Sequence, residues 1–117
     1  MGLKGVFEAK KKNGDIYYRS SLTYKNKHIS LGSYPSAADA HIAYLEASRL
    51  LETTLTIDDY HGKDYLLSFE KWVCLINFRD NDIYIKTPIY IRKQYFLYYY
   101  SPELCYKFDA EDLFYYS

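Results

Sequence analysis

Leu31–Leu51, LGSYPSAADAHIAYLEASRLL, is the stretch whose reading decides the fold. Leu31-Gly32-Ser33-Tyr34 closes an extended segment, and Pro35 ends its ladder because proline has no N–H to donate. Ser36 is placed to accept the free amides of a first helical turn, so a helix begins there. Asp39, three residues on, stands where a capping-box acid would stand, and its charge suits the positive helix N-terminus. Ala40, Ala43, Tyr44, Ala47 and Leu51 recur at helical spacing as one apolar stripe whose alanines let the helix lie close on a flat partner. Ile42 and Leu45 fall on the opposite side, beside Glu46 and Arg49, which predicts that a second element covers that face too.

Working back toward the start, Gly5–Ala9 reads as a first strand, followed by Lys10-Lys11-Lys12 and the turn pair Asn13-Gly14. Asp15–Tyr24, rich in Tyr, Thr, Leu and Ile, reads as the second strand. Lys25-Asn26-Lys27 is the next turn, and His28–Leu31 is the third strand. Three antiparallel strands therefore meet the helix.

Working forward, the composition changes after Leu51. Thr53, Thr54 and Thr56 lead into the polar run Asp58–Lys63. Asp64 is a candidate cap for a second helix through about Phe78, with Leu66, Phe69, Val73 and Ile76 at helical spacing. Trp72–Phe78, WVCLINF, is β-rich enough to leave a strand open; the helical reading is preferred. Arg79–Asp82 reads as a turn and Ile83–Lys86 as a strand. Ile89–Arg92, Tyr95–Tyr100 and Cys105–Phe108 read as further strands, broken by Pro88 and Ser101-Pro102. The expectation is an α+β fold: a three-stranded antiparallel sheet on one helix (residues 1–54), then a Tyr-rich α+β extension (residues 55–117) docked on that helix in one compact unit.

The 117 residues carry zero formal net charge, so the whole-chain basic excess usual in nucleic-acid binders is missing. The balance is uneven, however. Over residues 1–52, Lys4, Lys10, Lys11, Lys12, Arg19, Lys25, Lys27 and Arg49 outnumber Glu8, Asp15, Asp39, Glu46 and Glu52. Tyrosine is the compositional outlier, with 16 residues, most of them after Tyr60. Cys74 and Cys105 lack a neighbouring Cys or His at metal-ligand spacing and are expected to be reduced, buried thiols. MGLKGVF is no basic-then-apolar leader, and no apolar run has membrane length, so a soluble cytoplasmic protein is expected.

The order of GVF, a strand ending in Leu22, HISLGSY and SAADAHIAYLEASRLL resembles the APETALA/ethylene-response-factor DNA-binding domain. The resemblance covers residues 4–52. Related modules occur in phage and bacterial homing endonucleases. It implies that the open sheet face enters the DNA major groove, with Phe7 and Ala9, Tyr17, Arg19, Ser21 and Thr23, and His28 and Ser30 on that face. The side chains depart from the family pattern: Phe7 replaces an Arg, Ser21 and Thr23 replace Glu and Arg, and Ser30 replaces a Trp. Arg19 alone among them has the fork for a bidentate guanine contact. Lys10, Lys11, Lys12, Lys25 and Lys27 are candidates for phosphate neutralisation, which positions a protein without specifying sequence.

Catalytic signatures are not found. The chain shows no His-Asn-His set, no GIY-YIG motif and no Arg-His-Arg set around a tyrosine. Nothing links His28, His41 or His61 to a nucleophile, and the glycines are scattered. No enzyme activity, cofactor or metal is expected. Tyr98 and Tyr100, with the acidic cluster Asp109, Glu111 and Asp112 beside Tyr115 and Tyr116, form a candidate protein interface. Two functions follow as expectations. One is a non-catalytic phage or mobile-element accessory protein contacting duplex DNA mainly through phosphates. The other is an anti-CRISPR-type inhibitor that blocks the DNA-contacting groove of a CRISPR nuclease.

Overall fold

The computed structural model describes residues 3–109. It has the expected α+β architecture. Strands β1 (Val6–Lys10), β2 (Ile16–Tyr24) and β3 (Lys27–Tyr34) form an antiparallel sheet in the order β1-β2-β3. Helix α1 (Ala37–Glu52) packs on it, a single 3-10 turn (Ile57–Asp59) follows, and helix α2 (Phe69–Asn81) leads to a second antiparallel sheet of β4 (Ile89–Ile91), β5 (Tyr95–Ser101) and β6 (Leu104–Asp109).

Local chemistry explains the first half. The Lys11 carbonyl accepts from Gly14 N, while Lys11 N donates to the Asp15 carbonyl. The hairpin is therefore longer than a two-residue Asn-Gly turn and sets Lys12 and Asn13 at its tip. Lys25 and Asn26 both take positive φ, +50° and +65°, the pair that a tight two-residue hairpin turn requires. Ser36 caps α1, its hydroxyl accepting from Asp39 N at 3.1 Å. Gly5, at φ +79°, lies so close to α1 that a Cβ there would stand 2.2 Å from the Tyr44 ring. The alanine stripe does what its size permits: Ala40, Ala43 and Ala47 are buried, and the buried Ser20 hydroxyl donates to the Ala40 carbonyl at 2.7 Å.

One cluster of buried residues joins the two halves. Leu22, Ile29 and Leu31 of the first sheet and Ala43, Ala47, Leu50 and Leu51 of α1 meet Trp72, Leu75, Ile76 and Phe78 of α2. Contact is made along a different side of α1 from the expected one. Ile42 and Leu45 remain 44% and 50% exposed. The docking line runs instead through Glu46, Leu50 and Thr53. The Glu46 carboxylate accepts from Leu66 N and Leu67 N, and Arg79 Nη1 donates to the Leu50 and Thr53 carbonyls at 3.0 Å. Unpaired carbonyls at a helix C-terminus and exposed loop amides are stronger claims on a partner than two aliphatic side chains that water tolerates.

The second half differs from expectation in several places. Trp72–Phe78 is helical, but α2 is capped by Ser68, whose hydroxyl accepts from Lys71 N, and Asp64 lies in the turn before it. Arg79–Asn81 continue the helix rather than turning; Asp82, with φ +62°, ends it. Helical spacing lets Asn81 donate to the Asn77 side chain while also reaching the Ile91 carbonyl. Ile83–Lys86 form no strand, because no neighbour pairs with them; Asn77 holds the Ile83 carbonyl instead. Cys74 is buried, as expected, but Cys105 on β6 is exposed. An outer strand of a three-stranded sheet has no second layer to cover both its faces.

Candidate nucleic-acid interface

The face of the first sheet turned away from α1 is set by register. Directly opposed residues of antiparallel strands share a face. Phe7 opposes Arg19, and Ala9 opposes Tyr17. Ser21 opposes Ser30, and Thr23 opposes His28. These are the residues expected there, and the structure brings them together. A depression of about 440 Å³ opens among Phe7, Arg19, Ser20, Ser21, His28 and Ser30. Phe7 is 56% exposed at its rim, whereas Ser21 is only 7% exposed and forms part of its floor. Arg19 is held across the face: Nη2 donates to the Tyr17 hydroxyl at 3.0 Å, and the guanidinium lies 5.7 Å from that ring's centroid.

Ser33 belongs to this face as well, opposite Arg19, although strict alternation from His28 and Ser30 would turn it away. The cause is a bulge. Ser20 pairs with Gly32 and Ser21 with Ser30, which leaves Leu31 as an extra residue in β3. Gly32 has φ +114°, a conformation that a side chain disfavours. Buried Leu31 followed by a glycine was the available signal for the bulge.

The lysines separate into groups. Lys10, Lys11 and Lys12 are exposed at the β1–β2 end of the sheet. Lys25 is engaged elsewhere: its ammonium donates to the Phe78 and Arg79 carbonyls at the C-terminus of α2 and pairs with Asp82. The hydrogen bond to Asp82 raises its pKa despite some desolvation. Lys27 stands 5.8 Å over the Tyr84 ring, at the side facing the second half. His41 lies on α1, on the other side of the sheet from the open face, with Nδ1 2.9 Å from the Lys4 carbonyl. Among the described residues no group of His, Cys, Asp and Glu is arranged to hold a metal ion.

The second sheet carries the other candidate surface. Tyr98 is half-buried, Tyr100 is 69% exposed, and Asp109 ends β6 in the open. Glu111, Asp112, Tyr115 and Tyr116 lie outside the described residues. Between the second sheet and α2 lies a cleft of about 300 Å³ that sequence reading missed, lined by Arg79, Asp80, Tyr90, Arg92 and Tyr99 with Thr56–Asp58. Asp80 accepts from Arg79 and from the Tyr90 hydroxyl, at 2.8 and 2.9 Å. Burial would raise its pKa, but these donors and the arginine charge outweigh burial and hold the carboxyl below its usual value. Burial and the hydrogen bond to Asp80 push Tyr90 up. Arg79 and Asp80 thus neutralise each other, while the Arg92 guanidinium lies 4.8 Å from the Tyr90 ring centroid. No helix among the described residues is long and apolar enough to cross a membrane.

Set beside protein-family models, curated proteins and solved structures, the chain matches none.

Proposed function

We propose that the chain is a non-catalytic DNA-binding accessory of a phage or mobile element, and that the open face of the β1-β2-β3 sheet contacts duplex DNA mainly through phosphates. The observation that carries this reading is the charge of that face. Phe7, Ala9, Tyr17, Arg19, Ser21, Thr23, His28, Ser30 and Ser33 include a cation and several hydroxyls but no carboxylate. Lys11 and Lys12 stand at the hairpin beside Asp15, while Lys10, opposed to Ile16, leaves the sheet on the α1 side; on the face itself an approaching polyanion meets no like charge. Two inter-strand spacings of about 4.8 Å span roughly 10 Å, comparable with a major groove about 12 Å wide. The resemblance of HISLGSY and the Ala-rich helix to the APETALA/ethylene-response-factor domain supports the same use of the face.

A titration of labelled duplex DNA over a range of salt tests this. Binding should weaken steeply with salt, at about 0.9 log units per log unit of salt for each phosphate neutralised. The triple change Lys10→Ala, Lys11→Ala and Lys12→Ala should flatten that slope by roughly 2 to 3. Failure to bind any duplex at low salt overturns the proposal.

A second reading, an anti-CRISPR-type protein that blocks the DNA-contacting groove of a CRISPR nuclease, draws on the second sheet. Leu104, Tyr106 and Phe108 alternate along β6 and are all exposed, with Tyr100 on the neighbouring strand. Aromatic groups of this kind anchor protein interfaces. Co-elution with a purified CRISPR nuclease is the expected result; separate elution from every such nuclease tried would end this reading.

A further inference from the structure

We propose that Phe7 reads the 5-methyl group of a pyrimidine, thymine or 5-methylcytosine, on a base pair next to a guanine held by Arg19. The inference rests on the duplex-binding reading above and gives its face a sequence preference.

Phe7 and Arg19 are directly opposed on β1 and β2, so both side chains leave the sheet on the open side. Opposed Cβ atoms lie about 5 Å apart, and side chains as long as Phe and Arg can reach neighbouring base pairs from that spacing. A phenyl ring 56% exposed on a face that otherwise carries hydroxyls, an imidazole and a guanidinium has no partner within the described fold that explains its position. The depression it borders is walled by Arg19, His28 and Ser30, which mixes one apolar contact with polar donors. In the major groove the apolar feature of a base pair is the pyrimidine 5-methyl group, and guanine O6 and N7 are the acceptors that fit an arginine fork. Arg19 is already aimed by the Tyr17 hydroxyl, which accepts one Nη2 hydrogen at 3.0 Å and leaves the other Nη2 hydrogen, with Nη1 or Nε, to form such a fork. Phe7 thus supplies the choice of methyl over hydrogen, and Arg19 the choice of guanine.

The test begins with enrichment of random duplexes on the full chain. The enriched sequences should contain guanine beside thymine. In the enriched duplex, deoxyuridine in place of that thymine removes only the methyl group. Affinity should fall about fourfold, the effect of burying one methyl group. Replacing the thymine–adenine pair by cytosine–guanine should weaken binding, and 5-methylcytosine in that position should restore it relative to cytosine; this arm separates the methyl group from thymine itself. The thymine-to-uracil ratio should drop to one in Phe7→Ala and stay above one in Phe7→Leu, each ratio being normalised to the variant's own binding. Salt-dependent binding with no enriched sequence, or with equal affinity for thymine and uracil duplexes, overturns this inference and leaves the phosphate-contact proposal standing. No binding to any duplex overturns both.

Discussion

The Glu46 carboxylate on α1 accepts the backbone amides of Leu66, at 2.9 and 3.1 Å to its two oxygens, and of Leu67 at 3.1 Å. A single acidic side chain thereby ties the loop before α2 to the helix that covers the first sheet. Replacing it by Ala leaves those amides without their partner. Glu46→Ala should lower the unfolding free energy by about 1–2 kcal/mol, seen as a lower urea midpoint with an unchanged slope.

The same residue makes stability depend on pH. Burial raises its pKa, and the bonds from Leu66 and Leu67 oppose that rise without cancelling it. The folded state therefore binds the proton more tightly than the unfolded one. Its contribution is fully present below the ordinary glutamate range and is lost as pH rises through the raised value. Glu46→Gln keeps an acceptor and cannot ionise. Urea midpoints of the two proteins measured across the mildly acidic range should show the wild type losing stability relative to Glu46→Gln as pH rises.

Two glycines at hairpin and strand ends separate backbone strain from crowding. Gly14 has φ +95° with open space around it, and Gly14→Ala should cost only the left-handed penalty, about 1–2 kcal/mol. Gly5 has φ +79°, and its added Cβ would lie 2.2 Å and 2.5 Å from Tyr44 ring atoms and 2.9 Å from the Ser21 carbonyl oxygen. Gly5→Ala should therefore destabilise clearly more than Gly14→Ala, by thermal or urea unfolding.

Lys25 and Lys12 should exchange phenotypes. Lys25→Met removes the cation from the α2 C-terminal carbonyls and from Asp82, so unfolding should become easier while the salt slope of duplex binding is unchanged. Lys12→Ala, at an exposed hairpin tip, should leave stability within about 0.5 kcal/mol and flatten the salt slope by about 0.9. Unfolding curves and a salt titration on the two variants check both halves.

The two cysteines should differ in reactivity. Cys105 is exposed, whereas burial lifts the Cys74 thiol to about 11. A thiol-directed chromophore should modify one cysteine quickly in the native protein and the second only in denaturant.

What was legible in the sequence was local. Ser36 as a cap, the alanine stripe, the places of the two hairpins and the helical reading of Trp72–Phe78 each depend on residues within a few positions of one another. What escaped depends on distant partners. Lys25 reads as a turn cation, and only the fold brings the end of α2 to it. Arg79 reads as part of a polar turn until its guanidinium is seen on the last carbonyls of α1. Ile42 and Leu45 suggested a docking face because hydropathy registers apolar area but not unpaired amides and carbonyls. Ser33 escaped for a smaller reason: an alternation rule loses phase at a bulge, and nothing in the period itself announces the slip.

That slip divides the labour along one strand. Ahead of Leu31, the side chains of β3 alternate between the open face and the helix in one phase; beyond Gly32 they alternate in the other. Tyr34 consequently turns inward, where its hydroxyl donates to the Leu31 carbonyl at 3.0 Å and reaches the Leu66 carbonyl at 3.4 Å. The same residues without the bulge, in strict alternation, would present Tyr34 to solvent and Ser33 to the core. The bulge at Leu31-Gly32, more than composition, is what keeps the open face and the junction to the second half from trading places.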